Sequence, residues 1–321
     1  MNIGKLVGNT PMIKIDYEYE GKQGSIYSKL EFYNYSGSIK DRIALYIIQK
    51  ERENGNLSEG QSIVEVTSGN TGIAFSAIGA LFGHDVHIFM PDWVSLERRK
   101  IIEMYGAHVH LVSKEEGGFK KALELAEEFA LETGAYRPLQ FDNPLNVEAQ
   151  YKTTAREIID EVPDINGFVS GIGTGGTLMG IGKKLKEYNP HSKVFALEPS
   201  TLSILKMGME EGSHMIEGIG DDFIPGIIEK DLIDDIILID DLDAINMAKR
   251  IAKEFGLGIG ISSGANFLAS VLIDDDNLKL ATVFPDDNKK YITTKLSEEI
   301  DENPELLSNK VKLIGFEVIW K

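Results

Sequence analysis

Short apolar runs rich in β-branched residues recur along the chain, and they alternate with stretches whose apolar positions repeat at helical spacing. The runs at 62–66, 85–90, 108–111, 167–171 and 193–197 predict strands. The stretches 73–81, 178–188 and 265–272 predict helices. Alternation of this kind implies parallel sheets wrapped by helices, an α/β fold. No internal repeat and no low-complexity linker divides the chain. The acidic runs at 274–276 and 298–302 read as solvated loops or helix ends.

Composition narrows the function classes. A chain of 321 residues suggests one large or two medium domains, and 42% hydrophobic content is ample for a core. Lys and Arg number 33 against 51 Asp and Glu, a net charge of −18. There is no basic field to neutralise phosphates, so neither nucleic acid nor an acidic membrane surface is an expected partner. The absence of cysteine rules out disulfides, thiolate metal sites and a cysteine nucleophile, and no metal is expected. No apolar run approaches the ~20 residues of a membrane span, and the start lacks a signal-peptide pattern, so a cytoplasmic location is expected.

Three segments carry candidate chemistry. Ser36-Gly37-Ser38-Ile39-Lys40-Asp41-Arg42 places a lysine behind small residues that leave room for a ligand. Thr67-Ser68-Gly69-Asn70-Thr71-Gly72 follows a strand-like run and opens onto a helical stretch, a geometry that aims backbone N–H groups and the helix dipole at an anion. Gly171-Ile172-Gly173-Thr174-Gly175-Gly176-Thr177 also joins a strand to a helix, and its glycines let the main chain close around a phosphate. No Lys-Ser/Thr pair follows them, so a Walker loop is excluded. Gly171, Gly173 and Gly176 do satisfy G-x-G-x-x-G, with Glu198 placed as in a dinucleotide site. That reading leaves Lys40 and the 67–72 loop unexplained. An amine nucleophile beside a carboxylate cradle suits an enzyme that handles an amino acid as an imine.

In this order the segments resemble the fold-type II pyridoxal 5′-phosphate (PLP) family, and within it cysteine synthase and the catalytic core of cystathionine β-synthase. Gly8-Asn9-Thr10-Pro11, Met90-Pro91 with Glu97-Arg98-Arg99, Gln140-Phe141-Asp142-Asn143-Pro144, the 217–225 stretch and Gly260-Ile261-Ser262-Ser263-Gly264-Ala265 extend the resemblance over nearly the whole chain. It implies a tryptophan synthase β-like fold of two three-layer α/β domains with the cofactor in the cleft. The smaller domain would span 40–145, and the larger 1–39 plus 146–321. No added regulatory domain is expected.

The resemblance also implies roles. Lys40 would carry PLP as a Schiff base and, once displaced, remove the substrate α-proton. Thr67, Ser68, Gly69 and Thr71 would hold the substrate carboxylate, with Gln140 near it, and Asn70 would meet the PLP phenolic oxygen. Gly173, Thr174, Gly175, Gly176 and Thr177 would hold the phosphate. Ser262 would partner the pyridine nitrogen; a neutral hydroxyl leaves the ring a weaker electron sink and favours chemistry at Cβ. Asp41 and Arg42 read as structural ion pairs. A homodimer acting on a small amino acid is expected.

One departure bears on the reaction. Cysteine synthases usually carry Ala-Gly where this chain has Asp221-Asp222, and cystathionine β-synthases Tyr-Asp; Pro285-Asp286 likewise resembles the latter family's Pro-Asp-Ser. A carboxylate facing the aminoacrylate stage would repel hydrosulfide and accept a proton from water or a thiol. We therefore expect Asp221 to be catalytic, with L-cysteine as donor, hydrogen sulfide released and L-serine formed. The alternative is cysteine synthesis from O-acetylserine and sulfide. Lanthionine- or cystathionine-forming replacement, and a PLP-binding regulatory homologue, are further readings.

Overall fold

The computed structural model describes residues 3–209 and 211–319. Its elements run β1 (Met12–Tyr19), β2 (Lys22–Leu30), α1 (Lys40–Glu53), β3 (Ile63–Val66), α2 (Asn70–Phe82), β4 (Val86–Pro91), α3 (Leu96–Met104), β5 (His108–Val112), α4 (Gly118–Thr133), α5 (Pro144–Lys152) and α6 (Thr154–Glu161). They continue with β6 (Gly167–Gly171), α7 (Gly176–Tyr188), β7 (Lys193–Pro199), α8 (Ile204–Met207), β8 (Asp235–Ile239), α9 (Asp241–Phe255), α10 (Ile261–Val271), β9 (Leu280–Phe284), α11 (Leu307–Lys310) and β10 (Lys312–Ile319). Every strand and helix expected from periodicity is present. Its ends shift by up to four residues, because caps and loops rather than apolar spacing set them.

The strands form a seven-stranded sheet, ordered β10-β1-β2-β9-β6-β7-β8, and a three-stranded sheet, ordered β3-β4-β5. In the larger sheet β10, β1 and β2 pair antiparallel, while β2, β9, β6, β7 and β8 run parallel. The smaller sheet is parallel throughout. Side chains alternate across each sheet, as the strand period requires. Phe195 and Leu197 of β7 join the core under α9 and α10, whereas Val194 and Ala196 join the core under α6 and α7. In the smaller sheet Ile88 and Met90 face α1 and α2, and Val64 and Phe89 face α4. Each sheet is thus covered by helices on both faces, the condition under which parallel strands are stable.

A buried ion network anchors α1. The Arg42 guanidinium donates to both oxygens of Glu31, at 2.6 and 2.8 Å, and to both of Glu157, at 2.6 and 2.8 Å. Lys29 Nζ, also buried, lies 3.0 Å from Glu157 and donates to the Thr10 carbonyl at 2.5 Å. Burial alone would lower the Arg42 pKa, but the two carboxylates outweigh it and raise it. Burial works the other way on Glu157, and its ion pair with Arg42 holds that carboxyl well below the usual range. Gly8 lies against this network at φ +81°, where a Cβ would press on the Arg42 guanidinium and Glu157. Asp41 departs from expectation. Among the described residues no ion pair holds it; its carboxylate instead closes the preceding turn, accepting from Ser36 N (2.7 Å), Ser36 Oγ and Ser38 N (3.4 Å). A short carboxylate one residue into a helix finds local N–H groups before it finds a distant cation.

The network predicts a large stability effect. Arg42→Met leaves Glu31 and Glu157 buried without their partner, and urea unfolding should show a loss of about 3–5 kcal/mol. Arg42→Lys keeps the charge without the planar fork and should fall between. The Glu157 contribution, from a carboxyl lowered on folding, should be complete above pH ~4.5 and fade as the pH falls below it.

Candidate active site

Open parallel sheets bind ligands beyond the carboxyl ends of their strands. Here those ends, from both sheets, face one cavity of about 1320 Å³. Its lining includes Thr67–Thr71 after β3, Pro91–Ser95 after β4, Gly171 and Gly173–Gly175 after β6, and Pro285 after β9. Lys40, Gln140, Thr177, Asp221, Asp222 and Ser262 also line it. Of the residues expected at the site, Gly176 alone is not in the lining; it lies behind the loop as the first residue of α7.

Lys40 opens α1, and its start is stitched to the segment after β9. Ile39 N donates to the Pro285 carbonyl at 2.9 Å, and Lys290 Nζ to the Gly37 carbonyl at 2.6 Å. Burial lowers the Lys40 pKa against the opposing pull of Asp286 and Asp221. A larger share of neutral amine is what a nucleophile or base requires.

The 67–71 loop is shaped by its own side chains. Gly69 N donates to Thr67 Oγ1 at 3.0 Å, and Thr71 Oγ1 pairs with Gln140 Oε1 at 2.6 Å. Gln140 Nε2 in turn donates to the Val66 carbonyl at 2.7 Å, so Gln140 braces the loop from behind. No side chain caps α2, which leaves N–H groups of its first turn for an anion. Ser68 is exposed into the cavity. Asn70 donates to Asp286 Oδ2 at 2.8 Å, while its own Oδ1 is buried and unpaired.

The glycine loop leaves no room for side chains. Gly175 sits at φ +87°, and a Cβ on Gly173 would strike the Gly218 carbonyl. Asn146 Nδ2 fixes the loop from below through Thr174 Oγ1 (2.9 Å) and the Gln140 carbonyl (2.8 Å). Glu198, which completed the dinucleotide pattern, is saturated: it accepts from Ser203 Oγ (2.7 Å) and from the N–H groups of Ile204 (3.1 Å), Leu205 (2.9 Å) and Lys206 (3.1 Å). It has no capacity left for a ribose.

Asp221 is half-buried at the cleft while Asp222 is exposed. Burial, then the neighbouring Asp222 charge, push the Asp221 carboxyl up to about 6, with Lys40 pulling the other way. The segment carrying it is held by Gly220 N donating to the Ile172 carbonyl at 2.8 Å and by Phe223 packed edge-on against Phe141, centroids 4.9 Å apart. Three residues at the site had no assigned role in the sequence reading. Asp286 gathers Asn70 and the Tyr291 hydroxyl, each at 2.8 Å. Arg98 pairs with Glu217 and lies 4.8 Å over the Tyr291 ring, bridging α3 to the far wall of the cleft. Asn146 braces the glycine loop. Asp286 left a signal as a departure beside Pro285, and Arg98 lay within the quoted Glu97-Arg98-Arg99 segment without a role; Asn146 left none, since it acts through contacts with Thr174 and Gln140.

Comparison with known proteins agrees with this geometry. Residues 3–286 match the family described as pyridoxal-phosphate dependent enzyme. A cysteine synthase of Staphylococcus aureus (strain N315) is 39% identical over 303 residues, 92% of this chain and 96% of that protein. A hydrogen sulfide-producing enzyme of Fusobacterium nucleatum is 46% identical in sequence, and its crystal structure superposes with a TM-score of 0.94 over 98% of this chain and 97% of that one. A variant of that enzyme with one Asp changed to Asn has been solved with an α-aminoacrylate intermediate, at 45% identity and TM-score 0.94 over 98% of this chain and 96% of that one.

The residues present fit the cofactor that the family uses. The glycine loop admits no side chain, and it leads into the N-terminus of α7, a helix of 13 residues with no side-chain cap, so backbone N–H groups there suit a phosphate. The Lys40 amine lines the same cleft, and so does Asn70, whose Oδ1 is buried without a partner. Gly173→Ala should therefore purify with little cofactor and bind added PLP at least about tenfold more weakly, read from the visible absorbance of the bound group, with folding intact by circular dichroism.

Proposed function

We propose that this chain, which belongs to the pyridoxal-phosphate dependent enzyme family and is an enzyme of the cysteine synthase kind, takes L-cysteine as donor, releases hydrogen sulfide and adds water to give L-serine. The Asp221 carboxylate, which lines the cleft with Lys40 and is pushed up to about 6 by burial and the Asp222 charge, carries this reading. Bound in the cleft, pyridoxal phosphate draws electrons from the α-carbon of an attached amino acid, which makes the α-proton acidic and lets a β-substituent leave.

The protein residues divide the remaining work. Gly173, Thr174, Gly175, Gly176 and Thr177 would hold the phosphate, Asn70 the phenolic oxygen and Ser262 the ring nitrogen. Thr67, Ser68, Gly69 and Thr71 would hold the substrate carboxylate at the uncapped start of α2, with Gln140 fixing their orientation. Lys40, its amine kept partly neutral by burial, would take up the α-proton. The proton taken up by Lys40 would pass to the hydrosulfide as it leaves Cβ with its bonding electrons, giving hydrogen sulfide. Asp221 would then accept a proton from water as the water oxygen bonds to Cβ, and that proton, relayed to Cα, would complete serine. The same charge opposes return of hydrosulfide: at ~4 Å and an effective dielectric near 20, like charges repel by roughly 4 kcal/mol. The Fusobacterium relative supports sulfide release. The Staphylococcus relative supports a second reading, cysteine synthesis from O-acetylserine and sulfide, in which Asp221 would be a hindrance.

Product analysis separates the two. With cysteine alone, sulfide and serine should accumulate in equal amounts; cysteine formed from O-acetylserine and sulfide, with no sulfide from cysteine, would establish the second reading. Lys40→Ala should lose turnover by orders of magnitude in either case. Asp221→Asn should still release the first sulfide, but serine formation should slow by about 10²–10⁴-fold, with pyruvate and ammonia taking its place. A base titrating at about 6 is active when deprotonated, so wild-type serine formation should rise with pH through about 6 and then level off. Asp221→Asn should lack that rise.

A further inference from the structure

The amino ends of β4 and β5 lie at the opposite end of the smaller sheet from the cleft, and they carry a cluster that the proposed chemistry does not use. His87 on β4 pairs in register with His108 on β5, and Phe89 with His110. The strand period therefore puts all three histidines on one face, the face covered by α4. Asp85 immediately precedes β4. One of its oxygens lies 3.2 Å from His87 Nε2 and the other 3.1 Å from His108 Nε2. One ligand atom from each of the three residues falls within a 4.8 Å span.

These spacings suit a metal ion. Bonds of about 2.0–2.1 Å to zinc at the tetrahedral angle place neighbouring ligand atoms about 3.3 Å apart. The rings are also held in place before any ion arrives. His87 stacks on His108 at 4.6 Å and packs against Phe129 of α4 at 4.4 Å. Its Nδ1 lies 3.1 Å from His110 Nε2, so a proton shared there leaves Nε2 of His87 free to coordinate. The Asp85 and His108 side chains are 51% and 57% exposed, against 14% for His87, so the cluster is open to solvent on one side.

We propose that Asp85, His87 and His108 bind one divalent first-row transition-metal ion of the zinc class, with water in the fourth position and His110 orienting His87 from behind. The two imidazole ligands favour such ions over calcium or magnesium. The ion would tie β4 to β5 away from the reacting atoms, so it bears on stability and not on turnover. The sequence reading expected no metal because it looked for cysteine ligands; the site needs only His-x-His on one strand meeting Asp-x-His on its neighbour.

The test is calorimetric titration of Zn²⁺ into the chelator-treated, PLP-loaded enzyme, without substrate and in a non-coordinating buffer. The wild type should bind one zinc per chain and melt at a higher temperature when loaded. His108→Gln and Asp85→Asn, both at exposed side chains, should each weaken binding at least about tenfold and abolish the melting shift, with turnover in the absence of zinc unchanged. No saturable binding by the wild type would overturn the proposal. So would an isotherm unaltered in both variants, which would assign the zinc to the cofactor cleft.

Discussion

The Arg42 guanidinium, buried between Glu31 and Glu157, is the interaction on which the site depends. It joins the first helix to the turn after β2 and to α6, two residues after the lysine that faces the cleft. Such a charge is tolerated in a core only when it is well paired, and here both carboxylates accept in bidentate fashion, with Thr10 Oγ1 a further acceptor at 3.2 Å. The consequence is positional. With Arg42 held from three directions, the first turn of α1 cannot slide, and Lys40 is presented at one depth in the cleft. Gly8 and Asn9 belong to the same arrangement, since a side chain at position 8 would press on Arg42.

Two sheets aimed at one cavity account for the rest of the site. In the proposed reading the small sheet would supply an uncapped helix start for a carboxylate, and the large sheet a glycine loop for a phosphate; both would be anion sites made of backbone, where dipoles are fixed in advance. Against that shared frame, the residues that select a reaction are few. Lys40 and Asp221 influence each other's charge across the cleft, one pulled down and the other up by burial. A base in a low-dielectric cleft stays effective near neutral pH for the same reason that it repels an anionic nucleophile. In the proposed reaction one carboxylate would thus both promote addition of water and oppose return of sulfide.

The two ends of the small sheet divide along the direction of its strands. At their carboxyl ends, the loops that enter α2 and α3 reach the cavity, and Arg98 crosses to Glu217 and Tyr291. At their amino ends, three histidines and one aspartate gather on the α4 face. Parallel strands place all their starts on one side and all their exits on the other, so chemistry at one end leaves the other free for a different use.

Apolar periodicity alone was enough to determine the strands β3 to β7 and the helices α2, α7 and α10, because strands flanked by helices carry short apolar runs and buried helix faces repeat at helical spacing. It named no residues for β1, whose Lys14, Asp16 and Glu18 interrupt the apolar run, nor for β2, β8, β9 or β10. The candidate site was legible where a motif is local: Lys40, the 67–71 loop and the glycine loop each carry their chemistry within a few residues. What only the tertiary structure decided is what those segments face. That Arg42 meets Glu31 and Glu157, that Asn146 lies under the glycine loop, that Asp286 gathers Asn70 and Tyr291, and that Glu198 is consumed by α8 are all contacts between remote positions. That Asp221 and not Asp222 turns inward depends on how Phe223 and Gly220 are held. Helical and strand periods record which face of an element is buried; they do not record which other element covers it, and a pKa is set by that neighbour.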